Sequence, residues 1–344
     1  MAITLKDVAL HAGVSTSTVS RACKDHPSIS EETKEKIRRA MAELGYEPTP
    51  SPTASPTTTL RTIGIVLPAS LKEAYENSFY LEAIRGISAF CNEKHYANTI
   101  ITGNNEEELL SVIQNMHKAG LVDAFILLYS RLDDPIINYL YNEGLLYVLV
   151  GKAYQYVNQT IYVDNDNVLA GQEATEYLIK QGHKKIGFIG KDYNFLFSAD
   201  RKNGYLLALT LNQLPFESKF CLELPESTTS AEEQIIKFLQ QKELPTAFVV
   251  SDDILAFTLK HVCMELGLSI PEDISIVSFN NSLISRLTSP QLTSMDINSF
   301  QLGIEAASQM IDHIENPNLI ATKIIVPHQL IERESCKNLK QEKK

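Results

Sequence analysis

The sequence has few of the features that mark secreted, metal-binding or membrane-spanning proteins. Five cysteines are scattered over 344 residues without a Cys-x-x-Cys pair, so neither a disulfide framework nor a zinc site is indicated. The longest apolar runs, such as 145–150, are far shorter than the roughly 20 residues of a membrane helix. No cationic segment followed by an apolar one opens the chain. We therefore expect no signal peptide, no membrane partner and a cytoplasmic protein with reduced thiols.

Motifs of common enzyme classes are also missing. The glycines of KIGFIG (185–190) do not complete G-x-G-x-x-G, and no G-x-x-x-x-G-K-[ST] loop occurs. The eight histidines are dispersed, with no H-E-x-x-H pair. Asp252 and Asp253 are adjacent on one backbone and cannot flank a scissile bond as two opposed carboxylates do. We expect no enzyme activity, no cofactor and no metal.

Negative charge exceeds positive charge, which is unusual among proteins that bind nucleic acid. The chain carries 31 Lys and Arg against 42 Asp and Glu, a net charge of −11. Residues 1–48 hold seven basic and seven acidic side chains, so the remainder carries the whole excess of negative charge. Contact with DNA then requires that the basic groups of this first segment share one face.

Three short helices are predicted in this first segment, over 4–12, 14–23 and 30–44. Apolar residues recur in them at helical spacing, and a tight Ala12-Gly13 turn joins the first two. This spacing is typical of a helix-turn-helix, whose second helix usually lies in the DNA major groove. The alternative is a small helical domain that docks another protein.

The outward residues of the second helix suit base recognition. Short hydroxyl side chains at Thr16, Ser17 and Ser20 let a helix approach base edges, and Arg21 has the fork that guanine accepts. Three serines near helix N-termini suit phosphate contacts: Ser15, Ser28 and Ser30.

From residue 61 onward, strand and helix patterns alternate. Nearly continuous apolar strands between amphipathic helices predict parallel sheets covered on both faces, in two doubly wound units. The predicted strands are 62–67, 98–102, 124–129, 146–150, 185–190, 247–251 and 275–279. The predicted helices include 77–94, 165–181, 199–213, 252–266 and 299–315.

Ligands of such folds bind outside the carboxyl ends of the strands, so the loops that follow the strands predict the site. Those loops offer aromatic rings, carboxylates, carboxamides and cations, a combination that suits a sugar. Capping of the next helix is an equally good interpretation for Asp252 or Asp253. The candidate ligand residues are Phe79, Tyr129, Lys152, Arg201, Asp252 and Asn280.

The stretch TLKDVALHAGVSTSTVSRACKDHPSISEETKEKIRRAMAELGYEP (4–48) resembles the headpiece of the lactose-repressor (LacI/GalR) family. The resemblance implies that Thr16, Ser17 and Arg21 read bases, while Thr4, Ser15, Ser20 and their neighbours hold the DNA backbone.

The body resembles the periplasmic-binding-protein-like core of the same family, through ADRKNGY (199–205), VVSDDILAFT (249–258) and SFNN (278–281). The resemblance implies effector contacts from Arg201 and Asp252. Asn280 stands where the family usually has Asp, which changes the expected sugar preference. Within the family, residues 151–154 and 163–190 are most similar to maltose-operon repressors.

The linker departs from the family pattern. Family members usually form a hinge helix here with a leucine wedged into the minor groove, but this chain has four prolines in residues 48–59 and Ser55 near the wedge position. Taken alone, the stretch predicts an extended spacer. A different mode of coupling and an altered linker both remain open.

These observations predict a sugar-responsive transcriptional repressor that binds operator DNA as a homodimer. The expected domains are 1–47 (DNA-binding head), 48–60 (linker), 61–335 (effector-binding and dimerisation body) and 336–344 (charged tail). Two rivals remain. One is a catabolite-control regulator whose corepressor is a phosphorylated carrier protein, and the other is a solute-binding or enzymatic body with a vestigial head.

Overall fold

The computed structural model describes residues 4–23, 29–46, 61–69, 77–191, 193–224 and 230–340. The predicted linker, 48–60, and the predicted phosphate ligand Ser28 lie outside these residues. The first two ranges form a three-helix head, and the remainder forms a body of two α/β lobes. Among the described helices, none combines the length and the apolar character that crossing a bilayer requires.

The head contains the three predicted helices: α1 (Leu5–Ala12), α2 (Thr16–Cys23) and α3 (Glu31–Leu44). Their apolar stripes meet in one small core in which Val8, Val19 and Ile37 are almost completely buried. The Ser30 hydroxyl accepts a hydrogen bond from the Thr33 N–H and so caps α3. Gly13, at φ 63°, takes the left-handed conformation that ends α1.

The first lobe of the body, the N-lobe, is built on a six-stranded sheet in the order β11-β5-β4-β3-β1-β2, and all of its strand pairs are parallel. Its strands are β1 (Thr62–Val66), β2 (Ala97–Ile101), β3 (Ala124–Leu127), β4 (Tyr147–Val150), β5 (Ile161–Asp164) and β11 (Lys323–Ile325). Its helices are α4 (Ser78–Glu93), α5 (Glu106–Lys118), α6 (Pro135–Asn142) and α12 (Ser299–Glu315).

The second lobe, the C-lobe, has the order β12-β10-β9-β8-β6-β7, parallel except for the antiparallel edge strand β12. Its strands are β6 (Ile186–Lys191), β7 (Cys221–Leu224), β8 (Ala247–Val250), β9 (Ser275–Phe279), β10 (Thr293–Asp296) and β12 (Gln329–Ile331). Its helices are α7 (Asn167–Lys180), α8 (Leu196–Leu211), α9 (Ala231–Leu239), α10 (Asp253–Glu265) and the short α11 (Leu283–Leu287). The prediction of two parallel-sheet units is confirmed.

All seven predicted strands are present, whereas five others have no apolar run that would reveal them. In β10 the small polar residues Thr293 and Ser294 are completely buried because hydrogen bonds satisfy them, and Ser294 Oγ donates to Asp253 at 2.9 Å. β7, β11 and β12 are edge strands of three or four residues with exposed side chains. β5 is four residues long and ends in a carboxylate.

The chain passes between the lobes three times, after β5, after β10 and after β11. The buried side chain of Asn165 lies in the first crossing. Its amide nitrogen donates to the carbonyl of Ile297 in the second crossing at 3.0 Å, and to that of Val326 in the third at 2.8 Å. One side chain thus ties the three crossings together.

We predict that Asn165→Ala destabilises the body by roughly 2–4 kcal/mol, because two buried carbonyl groups lose their donor. Urea unfolding monitored by circular dichroism measures the loss. Asn316→Ala is the matched control, since Asn316 is exposed and its amide also donates to a carbonyl, that of Asp312. An Asn165→Ala midpoint equal to that of the control would contradict the role of Asn165.

Candidate functional site

A cleft lies between the lobes, where the carboxyl ends of the two sheets face each other. The carboxyl ends of β1, β3, β4 and β5 contribute one wall, and the loops after β6, β8 and β9 contribute the other. The structure brings all six sequence-predicted ligand residues to this lining: Phe79, Tyr129, Lys152, Arg201, Asp252 and Asn280.

Aromatic rings on the N-lobe wall are placed by the start of α4. The Asn77 carboxamide caps this helix by accepting from the Phe79 N–H at 3.1 Å. Phe79 and Tyr80 follow in the first turn with their ring centroids 5.3 Å apart and edge to face. Tyr129 lies two residues beyond the end of β3 and completes this apolar surface.

Arg201 is the central cation of the cleft and is only 3% exposed. Its Nε donates to Asn167 Oδ1 at 2.9 Å and its Nη1 to the Ser251 carbonyl at 2.5 Å. The guanidinium lies 4.3 Å from the ring centroid of Phe279 and 5.0 Å from that of Phe197. Burial lowers the pKa of Arg201 to about 10, which still leaves the side chain charged at neutral pH.

Two glycines allow α7 and α8 to approach closely enough to place Arg201. A β-carbon at Gly171 would lie 2.2 Å from the Arg201 carbonyl oxygen, and one at Gly204 would lie 2.0 Å from that of Val168. Any larger residue would push α8 away from α7 and move the guanidinium.

Asp164 ends β5 and is, with Asp252, one of the buried carboxylates of the cleft lining. Burial raises its pKa to about 7, against the opposing effects of the Asn165 N–H and the nearby Arg201 and Lys152 charges. Asn167 joins it to Arg201, since the Asn167 amide nitrogen donates to Asp164 Oδ1 at 3.0 Å while its oxygen accepts from Arg201. The three side chains therefore form one polar chain across the cleft floor.

Asp252 caps a helix and also lies in the cleft lining. Its Oδ1 caps α10 by accepting from the Leu255 N–H at 2.8 Å, and the residue also lines the cleft. Asp253 does not line the cleft, because its carboxylate is held by Ser278, Ser294 and the Ser282 N–H. Asn280 takes the left-handed conformation, φ 96°, as β9 turns into the cleft.

The lobes also touch in front of the cleft. Lys152 Nζ of the N-lobe lies 2.9 Å from Asp200 Oδ2 of the C-lobe, and this hydrogen bond raises the pKa of Lys152. Arg131 forms an isolated antiparallel bridge with Phe195 and an ion pair with Glu106 at 2.8 Å. These contacts join the two lobes beside the cleft, and Asp200 partly neutralises the charge of Lys152.

In the head, the predicted DNA contacts lie at both ends of α2 and at the start of α1. Ser15 caps α2 by accepting from the Thr18 N–H at 3.1 Å, and Thr16 and Ser17 occupy the first turn. Thr4 precedes α1 and donates to Asp7 from both its N–H and its hydroxyl. Ser20 and Arg21 lie in the last turns of α2, against the body: Ser20 Oγ donates to the Glu143 carbonyl and Arg21 covers the Tyr141 ring.

Sequence reasoning missed several residues of this lining, among them Asp164, Asn167, Phe195 and Phe197. Asp164 ends a strand that the pattern did not predict, and Asn167 begins the following helix. Had β5 been recognised, the rule that ligands bind beyond the carboxyl ends of strands would have identified Asp164. The two phenylalanines reach the cleft from the long loop after β6 and the start of α8, where no periodic signal exists.

Comparison with known proteins identifies the same two parts. Residues 4–49 match the model of bacterial regulatory proteins of the lacI family, and residues 175–336 match a periplasmic binding protein-like domain. The chain is 34% identical to the HTH-type transcriptional regulator MalR of Staphylococcus xylosus, over 98% of this chain and 99% of that protein.

Solved structures agree with this match. A putative LacI transcriptional regulator from Bacillus cereus subsp. cytotoxis is 38% identical with a TM-score of 0.77, covering 81% of this chain and 99% of that one. A probable maltose operon transcriptional repressor MalR from Staphylococcus aureus is 30% identical with a TM-score of 0.73, over 81% and 99% of the two chains. With a helix-turn-helix head, a two-lobed body and near full-length identity to such regulators, the chain belongs to the LacI family of DNA-binding transcriptional regulators.

Proposed function

We propose that this protein represses a sugar-utilisation operon and that a sugar bound between the lobes of the body sets its affinity for operator DNA. The observation that carries the proposal is the polar chain Asp164–Asn167–Arg201, buried beneath aromatic rings in a cleft, in the same polypeptide as a helix-turn-helix. A sugar that binds one closure state of the lobes more tightly shifts the populations of those states, and with them the position of the heads.

Maltose or a maltodextrin is the sugar that we propose. Guanidinium, carboxylate and carboxamide groups bind pairs of hydroxyls, while rings such as Phe79 and Phe197 cover the apolar faces of a pyranose. Two of the three cations in the cleft lining already pair with carboxylates, Lys152 with Asp200 and Arg131 with Glu106, which favours a neutral ligand over a phosphorylated one. The similarity to a probable maltose operon repressor supports the same choice.

We also propose that the protein acts as a homodimer. Phe257 of α10 and Leu283 and Leu287 of α11 form an apolar patch on the C-lobe, in which the three side chains are 50%, 56% and 74% exposed. A second copy of the chain that covers this patch would carry a second head, as a pseudo-palindromic operator requires.

We predict that Arg21→Ala weakens binding to a specific DNA duplex by roughly 1–3 kcal/mol, because a bidentate contact to guanine is lost. The probe is a duplex that the wild-type protein selects from a random-sequence pool, measured by gel shift, which also reports the number of chains per duplex. Arg85→Ala is the matched control, because Arg85 is an exposed body residue paired with Glu82. Equal affinities of the two variants would contradict base reading by Arg21.

We predict that Arg201→Lys abolishes sugar binding, because lysine keeps the charge but lacks the planar fork that arginine presents. A thermal-shift screen of maltose, maltodextrins and other sugars measures the effect. In the wild type, a sugar at about 100 times its dissociation constant adds roughly 2.7 kcal/mol of stability. Lys202→Arg is the control, since Lys202 pairs with Glu223 outside the cleft lining.

Two outcomes of the screen are decisive for the effector. A full shift in Arg201→Lys would contradict the assigned role of the guanidinium. If no sugar stabilises the wild type, the sugar effector is wrong, and titration with a phosphorylated carrier protein tests the remaining corepressor mechanism.

The pKa of Asp164 predicts a pH dependence of stability. Because the folded pKa of about 7 lies above the ordinary value of 3.8, the native state holds a proton that the unfolded chain releases between these values. The stabilisation is therefore complete below pH 3.8 and is lost as the pH rises to about 7, with a slope of at most about 1.4 kcal/mol per pH unit. Urea unfolding of the wild type and Asp164→Asn measures it. The difference between the two proteins should change over this range, and a constant difference would refute the assignment.

A further inference from the structure

The end of α2 that is assigned to DNA is packed against the N-lobe. Ser20 Oγ donates to the Glu143 carbonyl at 3.0 Å, immediately after α6. The guanidinium of Arg21 lies 4.6 Å from the ring centroid of Tyr141, in cation–π geometry. Since a guanidinium over a tyrosine cannot also enter a major groove, this contact and DNA binding exclude each other.

The surface that receives α2 is ordered by the body itself. Tyr141 is stacked on Tyr156 with centroids 3.6 Å apart and an angle of 6° between the rings. The Tyr156 hydroxyl donates to Asn138 Oδ1 at 2.8 Å and so fixes the second ring. Gly144 completes the surface at φ 65°, and it leaves room for α2, because a β-carbon there would lie 3.0 Å from Ser20 Oγ. These residues form what we call the tyrosine platform: Asn138, Tyr141, Glu143, Gly144 and Tyr156.

The platform lies on the same side of the N-lobe as residue 61, at which the described part of the body begins. Gly144 comes just before β4, and residue 61 comes just before β1. β1 and β4 belong to the same parallel sheet, so their first residues lie at the same edge, opposite the cleft. Residue 61, the first described residue after the head, therefore lies on the side of the N-lobe that carries the platform.

We propose that the tyrosine platform is a docking site for the recognition helix of this chain, and that docking holds the DNA-free protein in an autoinhibited state. The proposal rests on the proposed function, in which Ser20 and Arg21 contact DNA. Only molecules with a free head bind DNA, so the apparent affinity equals the intrinsic affinity multiplied by the fraction of molecules whose heads are free.

A disulfide staple tests the docked geometry. A β-carbon at Gly144 would lie 3.7 Å from Ser20 Cβ, close to the mean Cβ separation of a disulfide. We expect Ser20→Cys/Gly144→Cys, in a Cys23→Ser background that removes an exposed thiol, to form an intrachain bond in oxidised glutathione. The oxidised protein should lose at least tenfold in affinity for the selected duplex. Dithiothreitol should restore at least the affinity of Ser20→Cys alone, because an unbonded side chain at position 144 crowds α2 and cannot strengthen docking.

A second cysteine pair controls for disulfide formation through random contact between the head and the body. Leu10 is 85% exposed on α1, so Leu10→Cys/Gly144→Cys shares the linker and the body cysteine but not the docked contact. It should cross-link much more slowly than the Ser20 pair. Equal rates for the two pairs, or an oxidised Ser20 pair that still binds the duplex, would overturn the proposal.

Removing the platform ring tests the same inference without added cysteines. Tyr141→Ala should raise affinity for the selected duplex roughly two- to fivefold, the size expected for an exposed cation–π contact. Tyr141→Phe retains the ring and should match the wild type. Thermal unfolding and sugar titration confirm that each variant keeps a folded body.

The failure of this inference is distinguishable from failure of the proposed function. If wild-type protein binds no selected duplex, DNA recognition itself is wrong. If it binds but Tyr141→Ala, Tyr141→Phe and the wild type have the same affinity and the staple has no effect, only docking is wrong.

Discussion

The arrangement of the body depends on one buried amide. Asn165 donates to a carbonyl in each of the other two crossings between the lobes, so three connecting segments that are far apart in sequence are held at one point. Asn298 adds a similar bond, from its amide to the Pro327 carbonyl at 2.7 Å. The crossings cannot separate without exposing unpaired polar groups.

The same constraint places the chemistry of the cleft. Asp164 and Asn167 flank Asn165, so the point that holds the crossings also fixes two members of the polar chain that ends at Arg201. The guanidinium is desolvated, and phenyl rings and a carbonyl replace the water that it loses. A ligand that meets this chain therefore binds groups whose positions are already set, and little side-chain entropy remains to be lost.

Sequence patterns predicted the parts of this structure that depend on local chemistry. Strands such as β3 and β8 are buried on both faces and appear in the sequence as apolar runs, and the helices of the head follow from apolar residues at helical spacing. The rule that ligands bind beyond the carboxyl ends of parallel strands then selected six residues that line the cleft. Asn165 and the tyrosine platform were not predictable, because their partners lie more than 100 residues away in the chain and each segment alone resembles an ordinary polar loop or helix end.

The segment 151–160 relates the two functional regions of the N-lobe. The segment begins in the cleft lining, where the ion pair of Lys152 with Asp200 joins the two lobes. It ends at the start of β5, on the side of the sheet opposite the cleft. On the way it contributes Tyr156, which supports the ring under Arg21. One end of this segment is therefore held by the contact between the lobes, while its middle supports the tyrosine platform. The Tyr156 hydroxyl donates to Asn138 of α6, and α6 follows the cleft-lining loop 129–131 in the chain. The two segments that form the platform, α6 and 151–160, are therefore both continuous with loops that line the cleft.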